Sequence, residues 1–495
     1  MANSMKENVR TSVIVNLIRT VTLTLLSFIT FPFACKYLGD AAVGTYAWAN
    51  TFVYYFLIIG KLGIPNVAIR ECSKVRNDPK AFNKKVQEFF LLQAFFTLLS
   101  FLLMVIIMVS AGGPLWENKD LIFLLSINFL AGVFSFEWVY IALEQHFYMS
   151  FRSIVTITIS AALVILFIRY PRQIYLYSLF AISTTLLTVI ANGFRLKKYV
   201  SLKKTGPYDF KQYIKPLLVI FFITIVVTIY NQSDSFILGY LDETKAQVGS
   251  YSVGIKGIEI VITIITSLSA VFIPRATTYY KMENKQFFKN LTAYSLNICL
   301  FIAFPAIVTM ALLSNQVVDV ISGGANGFAD AQYALMILAS IMLTYSIGDI
   351  IFSQVLLPMN KEKIYLITMI IGAVVNVTGS VFLGVFVFPS SPVIGIALAT
   401  SVTDFAILIF LICKTREYVG KALFNVNSLK LFMATLFIGG VTYFVSPLLN
   451  GVIDNALTHI AVMILLDGIL YIGLLLLLKE KLVYSFVRKR NVEEL

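Results

Sequence analysis

Several ionisable side chains fall inside long apolar runs of this chain, where a charge costs several kcal/mol unless it is paired or hydrated. Arg19 and Lys61 are the cations of the first half. At about 1.5 Å of rise per residue, each sits roughly 10 Å in from its end of a membrane-length segment. Either one alone can snorkel to an interface. Together they belong to neighbouring segments joined by a short hairpin, so both can face one cavity and hold an anionic group such as a phosphate or diphosphate. In the second half, Lys256 and Glu259 share a helix face at i, i+3 and either neutralise one another or bind something. Asp234 follows Asn231 and Gln232 near a segment end; Asp349, Asp404 and Asp467 lie deeper, and Glu137 is shallower. Carboxylates in a dry setting hold a proton or coordinate Na⁺. Asp234, Glu259, Asp349 and Asp404 are therefore the candidate ion-coupling residues. The chemistry expected is that of an ion-driven carrier of an anionic or phosphorylated compound, with no cofactor beyond H⁺ or Na⁺ as coupling ion.

The elements that must position these groups are membrane helices. The 495 residues are 58% hydrophobic and 13% charged, with a mean hydropathy of +0.84. That is too apolar for a soluble exterior. Runs of about twenty apolar residues recur, giving about fourteen spans. The second is expected at 44–67 and the fifth at 153–168, which is short and rich in Thr and Ser. Pro305, inside the ninth, is the candidate internal kink. The expectation is an all-α polytopic membrane protein with no sizeable soluble domain.

Basic residues orient it. With the N-terminus inside, most of the 39 Lys and Arg are cytoplasmic. They include Lys74, Arg76 and Lys80 after span 2, and Lys203, Lys204 and Lys211 after span 6. The tail adds Lys479, Lys481, Arg488, Lys489 and Arg490. Lys36, Lys119, Arg169, Arg172 and Lys245 fall outside. Both termini are then cytoplasmic, and the net charge of +13 reflects topogenesis and anionic lipid rather than nucleic acid.

One phrase occurs twice, about two hundred residues apart, as a repeated hydrophobic unit would. Leu38-Gly39 precedes Val43-Gly44-Thr45-Tyr46, and Leu238-Gly239 precedes Val248-Gly249-Ser250-Tyr251. Each Gly suits a tight turn or close helix packing. The repeat implies two pseudo-symmetric six-helix lobes in parallel orientation, at 1–205 and 206–420, with a further helix pair and tail at 421–495. The basic stretch Arg195 to Lys215, broken at Gly206-Pro207, is the linker between lobes.

Other chemistry is missing from the sequence. No G-x-x-x-x-G-K-[ST] or G-x-S-x-G occurs. The two histidines, His146 and His459, are too far apart to suggest a metal cluster by spacing. Cys35, Cys72, Cys299 and Cys413 read as small apolar residues, with neither a disulfide framework nor a metal site. Nothing here suggests an enzyme.

The motifs resemble the polysaccharide transporter (oligosaccharide flippase) family of the multidrug/oligosaccharidyl-lipid/polysaccharide (MOP) exporter superfamily. The matching stretches begin with Asn16-Leu17-Ile18-Arg19, Phe31-Pro32, Tyr37-Leu38-Gly39 and the Val43–Tyr46 phrase. They continue with Lys61-Leu62-Gly63-Ile64 and Ala68-Ile69-Arg70-Glu71. In the second half they are Asp234 to Gly239, Val248 to Ser252, Lys256 and Pro274. The resemblance implies translocation of an undecaprenyl-diphosphate-linked oligosaccharide across the bacterial cytoplasmic membrane by alternating access, for capsule, O-antigen, exopolysaccharide or teichoic acid synthesis. It implies a substrate cavity lined by Arg19, Lys61, Arg70 and Lys256, and the polymerase and glycosyltransferases of the same route as partners. Lys at 61 and 256 offers a point charge where Arg would offer a fork. A multidrug/cation antiporter or a lipid II flippase of the same superfamily is the nearer alternative; a membrane glycan polymerase or glycosyltransferase is the more distant one.

Overall fold

The computed structural model describes residues 9–201, 203 and 205–487. Lys204, Arg488, Lys489 and Arg490 lie outside these, as does the side chain of Asn16. Every element among the described residues is helical, and 14 helices are long and apolar enough to cross a membrane. They are numbered here as spans 1–14.

Span 3 (Pro79–Ala111) shows how such a helix is built. Asp78 caps it, accepting from the backbone N–H of Lys80 and Ala81, which satisfies two otherwise orphaned donors. Phe95, Leu98, Leu102 and Ile106 project outward, while Glu88, Gln93, Thr97 and Ser100 are buried. Against lipid there is no hydrophobic drive to bury Leu, so polar groups turn inward and bond between helices. The Ser100 hydroxyl accordingly donates to the Phe56 carbonyl of span 2 at 2.6 Å.

The chain packs into two compact units, Met1–Lys245 and Ala246–Leu495. The first holds spans 1–7. In it, span 1 (Ile18–Leu38) lies on span 5 (His146–Phe167), and span 2 (Asp40–Lys74) touches spans 3, 4 and 7 (Lys211–Leu241). The lobe division expected at 205/206 follows the repeat; packing divides the chain one span later, because span 7 runs along span 2. Gly239 makes that contact. It is helical, and a Cβ there would fall 2.0 Å from the Trp48 ring. Gly39, its counterpart in the repeated phrase, is instead the turn between spans 1 and 2, at φ 81° and ψ 172°, a conformation nearly closed to other residues.

The linker is tied to the first unit by span 3. Glu88, with no exposed surface, accepts from the Tyr213 hydroxyl at 2.6 Å and from the Asp209 N–H at 3.0 Å. Lys85 also bonds the Tyr213 hydroxyl. Asn83 accepts from the Ser201 N–H, and Gln87 donates to the Ser201 and Lys203 carbonyls.

The second unit holds spans 8–14. Span 8 (Ala246–Lys281) packs on span 10 (Ala331–Leu356), which also meets span 12 (Pro392–Leu423). Span 11 (Glu362–Val387) lies on span 12, and span 9 (Lys285–Leu312) contacts spans 12 and 13 (Val426–Asn450). Span 14 (Ala456–Leu477) closes against span 13.

The interruptions do not fall where proline alone suggests. The helix Lys285–Leu312 runs unbroken through Pro305, as membrane helices tolerate when neighbours satisfy the freed carbonyl. Span 2 breaks at Leu62 and Gly63, both with positive φ, and restarts as Ile64–Lys74. Span 8 stops at Ala270 and restarts as Ile273–Lys281. Both restarts read Ile-Pro, with Pro65 and Pro274 in the first turn, where a missing N–H costs nothing. The structure thus carries the repeat beyond the phrase that first displayed it.

Candidate functional site

Lys61 is the last residue of the Asp40–Lys61 helix, immediately before the break in span 2. The next two residues take left-handed conformations, Leu62 at φ 44° and Gly63 at φ 70°. Gly63 is required by its surroundings as well, since a Cβ there would meet Ile220 of span 7 at 2.8 Å. The result is an exposed ammonium at a helix end, with no ion pair within 4 Å among the described residues. A carboxylate acts on it electrostatically, Glu137, which opens the short helix Glu137–Ala142 after a second break, at Phe136 (φ 49°) in span 4. Glu137 is already engaged: Arg152 of span 5 donates to it at 2.7 Å.

Arg152 is the residue that sequence reasoning missed. The fifth span was expected to begin at 153, but the helix begins at His146, which places Arg152 inside it, 5% exposed. Its Nε and Nη1 have no hydrogen-bond partner. One signal was available: Tyr148 and Arg152 are i, i+4, so a helix extended upstream puts both on one face. The Tyr148 ring lies 4.1 Å under the Arg195 guanidinium, and its hydroxyl donates to Asn192 Oδ1 at 3.0 Å.

Arg19 lies part-buried on span 1, with a buried Nε that has no partner. Arg70 is different. It sits exposed beyond the break and shares Glu71 with Lys74, at 3.2 and 2.8 Å. Asp234 is buried on span 7, within electrostatic reach of Tyr55 on span 2. Packing therefore puts this carboxylate in the first unit with Arg19 and Lys61, whereas the chain order put it with the second half.

In the second unit, Lys256 and Glu259 do pair, Nζ to Oε2 at 2.7 Å. The Lys side chain is 14% exposed and the Glu 47%, so much of this charge is cancelled locally. Asp349 and Asp404 converge. Both act electrostatically on the phenols of Tyr345 and Tyr365. Asp349 precedes a π-helical turn, Ile351–Leu356, whose Phe352 stacks on Tyr365 at 4.1 Å. π-turns of this kind are frequent at functional sites. One turn before Asp404, Thr400 accepts from Asn376 Nδ2 at 2.9 Å. Carboxylate, hydroxyl and amide oxygens are hard donors, suited to Na⁺ or a proton and not to a soft metal. Among the described residues no three His, Cys, Asp or Glu come together to hold a metal.

Asp467 is held by the helices around it. Its Oδ2 accepts from Thr442 at 2.8 Å and from Thr309 at 3.4 Å, joining spans 9, 13 and 14.

Solved structures with this arrangement are MOP-superfamily proteins. A lipid II flippase MurJ in an inward closed conformation aligns over 94% of this chain and 99% of its own, with 17% identity and a TM-score of 0.70. An inward-facing multidrug resistance MATE family transporter aligns over 83% of this chain and 99% of its own, with 14% identity and a TM-score of 0.57. A MOP-superfamily transporter from Pyrococcus furiosus aligns over 84% of this chain and 97% of its own, with 14% identity and a TM-score of 0.56. No curated protein matches the sequence. The chain shares the fold of these multi-pass membrane proteins. Residues 9–280 match the model of the family described as "Polysaccharide biosynthesis protein". The chain belongs to that family.

Proposed function

We propose that this protein is a flippase for an undecaprenyl-diphosphate-linked oligosaccharide in a bacterial cytoplasmic membrane. One observation carries the reading. In a member of a polysaccharide biosynthesis family, the first unit presents Lys61 without an ion pair at a broken helix, while Arg152 holds Glu137, the carboxylate that acts on it. A cation on a membrane-spanning helix without a counter-ion is costly, so its persistence favours an anionic ligand. Lys61 and Arg19 hold the diphosphate, and Arg70 lies at the basic end where the headgroup enters. Lys256, already neutralised by Glu259, contributes less.

Alternating access carries the headgroup across, with both termini cytoplasmic as the basic loops require. Asp349 and Asp404 exchange H⁺ or Na⁺ to drive the return, and Asp234 responds to the same ion; Glu259, held by Lys256, takes little part. Polymerase and glycosyltransferases supply and consume the substrate.

The test is translocation of lipid-linked oligosaccharide in proteoliposomes containing wild-type protein or Arg19→Ala. Loss of one charge-assisted contact should lower transport by roughly tenfold or more. Unchanged transport removes Arg19 from the site. A second reading, a cation antiporter, draws on the Asp349/Asp404 pair and on the MATE-like fold. Resistance to cationic dyes conferred by expression, with no effect on lipid-linked glycan, would replace the flippase by that reading.

A further inference from the structure

The second unit contains a cavity of about 1940 Å³ that the transport reading does not use. It lies where the helix Ile273–Lys281 and the start of span 9 meet the end of span 12 and the start of span 13. Its opening has a local cause. Within the helix Pro392–Leu423, Thr415 departs from helical geometry (φ −115°, ψ 15°), and its hydroxyl donates to the Leu411 carbonyl at 2.7 Å. A Ser or Thr bonded back to the preceding turn bends a helix, and the segment after Thr415 forms one wall.

The lining is divided by chemistry. Arg275, Lys289, Arg416, Lys421 and Lys481 bring five cations, against one carboxylate, Glu417. Glu417 is taken by Lys289 at 3.1 Å. The other four cations have no carboxylate within 4 Å among the described residues. Asn297 Oδ1, a buried acceptor on the same lining, has no donor. Ile409 and Ile412 of span 12 supply an apolar wall. Beside it, Ile409, Phe424 and Val426 are all more than half exposed. A soluble anion needs only the cations. A cationic end joined to an exposed apolar wall on membrane-spanning helices matches a molecule with a phosphate at one end and hydrocarbon at the other.

We propose that this cavity binds a glycerophospholipid with an anionic headgroup. Its phosphate sits among Arg416, Lys421 and Arg275, and its acyl chains lie along Ile409 and Ile412. Basic clusters between spans recognise such headgroups by charge, and each cation adds to the affinity independently. The planar guanidinium forks of Arg275 and Arg416 suit phosphate oxygens in pairs. The proposal stands on residues of the second unit alone and does not depend on what is transported.

The test uses the full-length protein in neutral detergent. Retained lipid is measured by native mass spectrometry after incubation with phosphatidylglycerol or phosphatidylcholine. Wild type should retain phosphatidylglycerol preferentially. The double variant Arg416→Gln/Lys421→Gln should lose roughly 25-fold in affinity for it, about fivefold per cation removed. Glu417→Gln removes the one competing carboxylate and should strengthen retention, which gives a readout in the opposite direction if the double variant fails to fold. Equal retention of the two lipids by wild type, or no change in either variant, overturns the proposal. Displacement of phosphatidylglycerol by millimolar sodium diphosphate would show a water-facing anion site and overturn the lipid assignment.

Discussion

Span 2 and span 8 are built alike and charged differently. Each follows a Leu-Gly pair, opens near a Val-Gly-x-Tyr phrase, carries one Lys ahead of a break, and restarts on Ile-Pro. In span 2 the Lys stands at the break itself, exposed and without a counter-ion. In span 8 the Lys lies well before the break and is paired with Glu259 at 2.7 Å. The shared scaffold shows that the break is an architectural device. The unequal charge shows that only one copy has been left electrostatically open. Asp349 and Asp404, acting on the same two tyrosines, give the second unit the opposite character, acidic where the first is basic.

This contrast can be broken most directly at Lys61. Lys61→Ala should cut transport of lipid-linked oligosaccharide in proteoliposomes by roughly tenfold or more, and Lys61→Arg should restore much of it. If Lys61→Ala transports normally, the open cation is not the substrate site. Asp349→Asn or Asp404→Asn comes next. Each should abolish the dependence of transport on an H⁺ or Na⁺ gradient while lipid-linked substrate still binds; a variant that keeps its gradient dependence places coupling elsewhere.

The glycines of the repeated phrase sharpen the comparison through stability. Gly239→Ala drives a methyl into Trp48 and should destabilise the protein by about 1–3 kcal/mol. Gly39→Ala meets no atom within 4 Å and strains only its own turn, at about 1–3 kcal/mol. Thermal melts in detergent that leave Gly239→Ala as stable as wild type would mean that span 7 is not held against span 2 by this contact. The smallest effect belongs to the double variant Lys256→Ala/Glu259→Ala. It removes a partly exposed pair whole and should change stability by less than about 1 kcal/mol and transport by little. A large transport loss would make span 8 as important to the substrate as span 2.

Hydropathy made the spans legible, because membrane helices must be long and continuously apolar whatever they pack against. The break in span 2 was visible too, as Leu62-Gly63-Ile64-Pro65. Arg152 was not visible, because hydropathy ends a span where a charge appears, and only the helix continuing back to His146 shows the guanidinium to be inside. Pro305 marks no break, since the helix Lys285–Leu312 runs on through it. Asp234 was assigned by chain order to the second half. Its packing partner, Tyr55, is about 180 residues away, a separation that sequence patterns of local period cannot bridge. The pairing of Asp349 with Asp404 through Tyr345 and Tyr365 was hidden for the same reason.

The attachment of Glu88 to Asp209 and Tyr213 has a consequence for biosynthesis. Span 3 enters the membrane carrying a carboxylate whose hydrogen-bond partners are still unmade, more than a hundred residues later in the nascent chain. At roughly 5–20 residues per second, the ribosome needs several seconds or more to deliver them. Until span 7 emerges, Glu88 has only the long 3.9 Å ion pair to Lys84, one turn earlier on the same helix. The first unit therefore completes its assembly only after the repeat boundary has been translated.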